Sequence, residues 1–530
     1  MFDILIKNGK VIDGCANPWF NANLAIKNGK ILSVGKGIKG EAKKVINADG
    51  NIICPGFINT HAHTDLRIFK HPEEETKLLQ GYTTALFGQD GLSVAPIDEE
   101  NKRPMMSRVS GLLGTYLNAW PWNSMEEYLD ALENVQPGVN VMMLAPHGSI
   151  RAMGMGWDDR QATVEEIERM KTILAKALEE GACGFSTGLI YPPGMYADKN
   201  ELIELCRVTG ELGGIFVVHV RNEGDYLTKA LQEVIEVCIT ANCPLHISHL
   251  KIAGKRNWGK SDEVLAILEE ARENGLDVTF DQYPYIAGST MLDAVIPPKY
   301  HSGGVMKMLE RLKDPKIRQE IFEMQERINP EPWDNWVDYC GWDGILINAV
   351  KSEKNRFAEG KTVAEIAEIT GKKPIDAVCD LLIEEESAVT MTEFYGSEKD
   401  VINFMRSDYM MLCTDGIAGG KPHPRVYGSG PRFVGKYVRE DKALTLPQAI
   451  KKLTSMPAQR LGLQDRGLVK EGFVADIVIF DPDEIIDKGT FSDPVQFPIG
   501  INTVIVGGQI AVENGKLTTT RNGVVIRQKC

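Results

Sequence analysis

The sequence predicts an α/β fold: a (β/α)8 TIM-like barrel with a small β-sandwich domain built from both chain termini. Three observations carry that expectation. Short apolar runs, eight of them, alternate with helix-patterned stretches through the middle of the 530 residues. Both ends of the chain instead carry alternating strands around tight turns. The length leaves room for such an extra domain beside a barrel of roughly 250 residues or more. Continuous apolar runs mark parallel strands buried on both faces, and eight strand–helix units suit a barrel better than an open sheet.

The elements follow in chain order. FDILIKNGKVIDG and NLAIKNGKILSVG alternate apolar and polar residues around Asn8-Gly9 and Asn28-Gly29, which is hairpin chemistry. VADIVIFDPDEI (474–485) and INTVIVGGQIAVENGKL (501–517), with turns at Gly507-Gly508 and Asn514-Gly515, repeat the style at the far end. Residues 1–50 and 466–530 are therefore expected to build one sandwich domain, with the barrel over 51–465. The barrel runs are IICPGFINTHAH (52–63), YTTALFGQD (82–90), NVMMLAPHG (140–148), CGFSTGL (183–189), GIFVVHVR (214–221), PLHISHLK (244–251), DVTFDQYPY (277–285) and YMMLCTDG (409–416). Amphipathic stretches such as TVEEIERMKTILAKALEEG (163–181) and SDEVLAILEEARENG (261–275) read as the intervening helices. The seventh and eighth runs lie unusually far apart. Within that gap, about 286–350 holds Pro297-Pro298, Gly303-Gly304, a helical segment and Trp333, Trp336 and Trp342. That is too rich in tryptophan and methionine for a linker, so a folded insertion over the barrel mouth, acting as a lid, is expected.

Composition narrows the function. Acidic residues outnumber basic ones by 73 to 59, a net charge of −14, which disfavours nucleic acid and anionic membranes as partners. No apolar run reaches about 18 residues, so no membrane span is expected. Ten cysteines (Cys15, Cys54, Cys183, Cys206, Cys238, Cys243, Cys340, Cys379, Cys413, Cys530) are scattered without a CxxC pair or a secretory leader. That pattern fits a reduced cytoplasm. It carries no signal of oligomeric state.

Five of the nine histidines, His61, His63, His147, His219 and His249, fall at the C-terminal ends of predicted strands. Those ends converge on the barrel mouth, where sites form. In His61-Ala62-His63 the two imidazoles are at i and i+2 of a strand and face the same side. Together with His219, His249 and Asp415, which end the fifth, sixth and eighth runs, they point to a metal centre. Imidazole and carboxylate suit Zn²⁺ and similar divalent ions. His71, His246, His301 and His423 read as structural.

The motifs PGFINTHAHTDL, HVRNEGD, HISHLK and CTDG, in that order between two β-rich ends, resemble the amidohydrolase superfamily. GFSTGLIYPPGMYA (184–197), HLKIAGKRNWGK (249–260), DQYPYIAGST (281–290), HPRVYGSGPR (423–432) and RGLVKEGFVADIVIFDP (466–482) are similar to the N-acyl-D-amino-acid deacylases, or D-aminoacylases. The resemblance implies a small-molecule N-acyl-D-amino acid as substrate and metal-dependent hydrolysis of its amide bond, giving a carboxylate and a free D-amino acid. It implies His61, His63, His219 and His249 as ligands of one or two zinc ions, with Asp415 as general base and acid. One position departs from the family: Asp90, in Gln89-Asp90-Gly91, stands where a cysteine ligand is usual. As a ligand it is a harder donor, able to bridge two ions, and widens the choice toward Mn²⁺, Co²⁺ or Fe²⁺.

The resemblance further implies that Lys251 holds the substrate α-carboxylate. Tyr283, Ser289, Arg425 and Tyr191 are implied as carboxylate or positioning contacts. His147 lies near the mouth without an assigned role. Two other readings stand beside this one, a cyclic-amide hydrolase of hydantoinase type and a non-catalytic scaffold. The first needs a lysine ending the fourth strand, where this chain has Ser186-Thr187-Gly188-Leu189; the intact histidines and Asp415 oppose the second. Residues 286–298 contain no Lys or Arg, which favours neutral substrate side chains.

Overall fold

Each of the eight apolar runs contains a strand of a parallel sheet in the computed structural model, which describes residues 1–116, 119–328 and 333–528. Strands β1 (Phe57–Asn59), β2 (Tyr82–Phe87) and β3 (Asn140–Met143) form one sheet. A second contains β4 (Gly184–Gly188), β5 (Ile215–His219), β6 (Leu245–Ile247), β7 (Val278–Gln282) and β8 (Met410–Leu412), in spatial order β8-β7-β6-β5-β4. The chain just after β3 ties the two together, because Ala145 and Pro146 pair with Phe185 and Ser186 of β4. At the opposite edges Ala62, beyond β1, forms a parallel bridge with Gly416, beyond β8. The Asp415 amide donates to the His61 carbonyl at 3.0 Å there. The helices between the strands include Val164–Glu179, whose N-terminus is closed by a capping box of Thr163 and Glu166.

Both termini enter a single nine-stranded sheet, where Ile477–Phe480 lies between Ile52–Pro55 and Ile501–Val506. The first apolar run is thus divided, with Ile52–Pro55 in the terminal sheet and β1 in the first parallel sheet. Gly56 separates them, and a Cβ there would fall 2.1 Å from Thr83 Oγ1, so only glycine allows the crossing.

The long stretch before β8 is folded, as expected. Gly288–Met291, Ile345–Ala349 and Thr390–Glu393 make a three-stranded antiparallel sheet. Its apolar cluster joins Leu292, Trp336 and Ile347 to Ile366, Val378 and Met391. The body that contains residues 286–350 therefore also takes in the helices Val363–Thr370 and Pro374–Glu384. No helix among the described residues is long and apolar enough to cross a membrane. The nine described cysteines are free thiols, and Cys530 lies outside the described residues.

Gly88 leads β2 into the one-turn helix that carries Asp90. Its φ is +78°, and a Cβ would sit 2.4 Å from the Leu144 carbonyl oxygen. Gly88→Ala should therefore cost about 2–4 kcal/mol from backbone strain plus overpacking. Urea unfolding measures it, and an unchanged midpoint would mean that the turn is not under this constraint.

Candidate metal centre

Six side chains converge where the strands end. His61 and His63 follow β1, Asp90 follows β2, His219 closes β5, His249 lies two residues past β6, and Asp415 follows β8. Three of them adopt left-handed backbone conformations, with φ of +57° at Asp90, +36° at His249 and +46° at Asp415. Such conformations are costly for residues other than glycine and cluster at functional sites. The chain turns sharply at each strand end, and tertiary hydrogen bonds hold the turns. The His249 amide donates to Asp281 Oδ1 at 2.5 Å, and the Leu250 amide to the Asp281 carbonyl at 2.8 Å.

All six are buried. His61 Nε2 lies 3.2 Å from His63 Nε2, and His63 Nε2 lies 3.1 Å from Asp415 Oδ1. Across the site His219 Nδ1 is 3.0 Å from His249 Nε2. Asp90 stands between these pairs. Its Oδ2 is 3.3 Å from His61 Nε2 and 3.4 Å from His63 Nε2, and its Oδ1 is 3.6 Å from His249 Nε2. The residues form two donor sets, His61, His63, Asp90 and Asp415, and Asp90, His219 and His249, each with ligand atoms within 4.8 Å of one another. Asp90 belongs to both.

The donor chemistry fits a divalent cation. Each imidazole pair points two nitrogens at one place, and in the neutral rings at most one of the two can donate to the other. Asp90 Oδ1 has no hydrogen-bond partner. The electrostatics agree. Burial opposes charge on His63 and His249, but the carboxylates beside them prevail and lift both to about 9. His219, where burial dominates, falls to about 3. Burial also opposes the charge on Asp90 and Asp415, yet both lie below the usual carboxylate range. His61 and the other histidines hold Asp90 down, and Arg425 followed by His61 holds Asp415 down. The pocket is arranged to favour positive charge.

A small cavity of about 20 Å³ borders the centre. Lys251, Tyr283, Ser289 and Tyr191 line it, beside His63, Asp90, His219, His249 and Asp415. Lys251 Nζ pairs with Glu223 and lies 2.6 Å from His249 Nδ1. The Tyr283 hydroxyl is 2.6 Å from that of Tyr395, the Tyr191 hydroxyl is 2.6 Å from Thr290 Oγ1, and Ser289 Oγ accepts from Asn348 at 3.0 Å. Arg425 is fully buried behind this wall. It pairs with Asp415 Oδ2 at 2.9 Å, donates to the Ser289 carbonyl at 2.8 Å and stacks on Tyr283. It reaches the cavity through Asp415 and Tyr283.

His147 stands outside both donor sets, between Thr187 Oγ1 at 2.7 Å and Glu201 Oε1 at 2.8 Å. His246, His301 and His423 have protein partners in Thr279, the Ile296 carbonyl and the Ala287 carbonyl. His71 is half exposed beside Glu73.

Sequence reasoning missed Glu223, Asp334 and Glu393. Glu223 lies in the HVRNEGD motif, and its Oε1 and Oε2 lie 3.2 Å from His249 Nδ1 and 3.6 Å from His219 Nε2. The acidic residue just past β5 was the available signal. Asp334 comes from the inserted body and accepts the Glu223 amide at 3.1 Å, and burial pushes its carboxyl well up. Nothing local in the sequence marks Asp334 or Glu393.

The chain matches the amidohydrolase family over residues 44–321 and 356–512. It is 33% identical to an N-acyl-D-glutamate deacylase of Alcaligenes xylosoxydans xylosoxydans, over 96% of this chain and 93% of that one. It is 31% identical to a D-aminoacylase of the same organism, over 99% and 97%. A crystal structure of N-acyl-D-glutamate deacylase from Bordetella bronchiseptica, in complex with zinc and a phosphonate mimic of the tetrahedral intermediate, is 30% identical. It superposes with a TM-score of 0.84 over 99% of this chain and 100% of that one.

The shared carboxylate sets an expectation for metal analysis. Asp90→Ala should deplete both donor sets, whereas His61→Ala should spare the set of His219 and His249. Elemental analysis of protein purified without chelator reads the difference. Full occupancy in Asp90→Ala would remove the carboxylate from the centre.

Proposed function

The chain belongs to the amidohydrolase family, and from that premise we propose that it hydrolyses the amide bond of N-acyl-D-amino acids with a divalent metal, releasing a carboxylate and a free D-amino acid. The observation that carries this reading is the pair of donor sets sharing Asp90 at the wall of a cavity that also presents Lys251. The similar proteins are deacylases of this kind over nearly the whole chain. The fold reading that accompanies it is a closed (β/α)8 barrel formed by the two parallel sheets joined at both edges, beside a separate β-sandwich domain from both termini, in a cytoplasmic protein. The boundary expected at residue 50 moves past Pro55, because Ile52–Pro55 pairs within the terminal sheet.

His61, His63, Asp90, His219 and His249 would hold one or two zinc ions, which supply a Lewis acid and acidify water. Arg425 keeps Asp415 ionised, so its carboxylate can accept a proton from the attacking water. The same carboxyl then returns the proton to the leaving amine nitrogen. Lys251 exchanges Glu223 for the substrate α-carboxylate, and Tyr283, Ser289 and Tyr191 shape the cavity around it. Linear amides are favoured over cyclic ones because β4 offers no lysine. Ser186 Oγ instead binds the Gly88 carbonyl, and Thr187 binds His147.

A screen of N-acyl-D- and N-acyl-L-amino acids against hydantoin, with zinc measured in parallel, tests the reading. Turnover of hydantoin alone would replace it. Asp415→Asn should retain metal at the His219 and His249 set and lose about 10²–10⁴ in kcat. Near-normal turnover would move the base elsewhere. Lys251→Met should raise KM roughly tenfold to a hundredfold, the worth of a charge-assisted contact of about 1.5–3 kcal/mol. An unchanged KM would leave Lys251 as a partner of Glu223 only.

A further inference from the structure

One acid at the cavity wall has no part in the chemistry described. Glu393 closes the strand Thr390–Glu393 and sits opposite Gly288 in the antiparallel sheet. A Cβ on Gly288 would fall 2.3 Å from Glu393 Oε1, so the glycine leaves free the space that the carboxyl occupies. Glu393 is 3% exposed and lines the same cavity as Lys251 and Asp415. Its Oε2 has no hydrogen-bond partner, and no ion pair reaches the carboxyl among the described residues. The two cations nearby are already engaged, Lys251 by Glu223 and Arg425 by Asp415. Burial pushes the Glu393 carboxyl up to about 8, so a cation beside it would favour its ionised form.

We propose that Glu393 selects the substrate side chain, favouring N-acyl-D-amino acids that end in a cation, of the lysine, ornithine or arginine type, and rejecting acidic ones. The inference rests on the deacylase reading and names its substrate class. A buried carboxyl without a partner is expensive to ionise, and a cationic group brought against it satisfies both charges inside the protein. An acidic side chain would meet Glu393, Glu223, Asp90 and Asp415 in the same cavity, with Lys251 needed for the α-carboxylate. Residues 286–298, on the adjoining wall, supply no lysine or arginine to receive it. A substrate that carries both an anion and a cation finds a partner for each in the cavity lining, Lys251 for the first and Glu393 for the second.

The test compares N-acetyl-D-lysine, N-acetyl-D-methionine and N-acetyl-D-glutamate on the zinc-loaded full-length enzyme. Wild type should show kcat/KM at least tenfold higher for the lysine than for the methionine substrate, and at least a hundredfold higher than for the glutamate. Glu393→Gln should lower the lysine-to-methionine ratio by tenfold or more, and Gly288→Ala, which displaces the carboxyl, should lower it in the same direction. Glu393→Lys should raise the glutamate-to-lysine ratio. Turnover of the methionine substrate with no preference for lysine, or a ratio unmoved in Glu393→Gln, overturns the assignment and leaves the deacylase reading standing. A zinc-loaded protein that hydrolyses none of the three overturns both.

Discussion

The sharing of Asp90 between two imidazole pairs is the contact on which the rest of the site depends. A carboxylate buried to this degree is tolerable only when its charge is matched on several sides. Here His61 and His63 face one oxygen and His249 the other. Reaching that point requires a residue just past β2 in a left-handed conformation, preceded by a glycine that lets the chain pass against the Leu144 carbonyl. The turn after β2, the edge contact with the chain beyond β3 and the placement of both histidine pairs are therefore one constraint seen from three elements.

The apolar runs were legible because strands buried on both faces need unbroken apolar sequence, and each run does contain a parallel strand. His61 and His63 were picked out by their i, i+2 spacing; they lie just past β1, where the bridge of Ala62 to Gly416 keeps the chain paired and the two rings meet at 3.2 Å. The joining of both termini in one sheet was legible from Asn-Gly turns and alternation. Glu223, Asp334 and Glu393 were hidden for the opposite reason. Glu223 acts from a loop, where no periodicity assigns a direction. Asp334 and Glu393 belong to the inserted body, which meets the centre only through long-range packing. Arg425 stood out in its motif, but its partner, Asp415 Oδ2, is a fact of tertiary structure that spacing does not encode.

The cavity is a region of paired opposites with an acidic excess. Asp90, Asp415, Glu223 and Glu393 face it, against Lys251 at the wall and Arg425 behind it. Because Lys251 and Arg425 are each already bonded to a carboxylate, neither is a free cation waiting for substrate. In the proposed reading an incoming carboxylate would take Lys251 from Glu223 by exchange. Glu223 is then left facing His219 and His249, and it can strengthen the basicity of both rings as outer carboxylates do beside metal-binding histidines. Glu223 touches Lys251 and His249 with the same oxygen, so in the proposed reading substrate binding at Lys251 would be felt directly at His249.

The same coupling explains why the inserted body matters to the chemistry. Asp334 accepts the Glu223 amide, and Trp336 lines the cavity, so the insertion fixes the carboxylate that arbitrates between Lys251 and the histidines. The strand ends present the nitrogen and oxygen donors of the candidate metal centre, and the insertion adds Asp334 behind Glu223. The inserted body also makes one wall of the cavity, through Ser289, Thr290, Trp336 and Glu393.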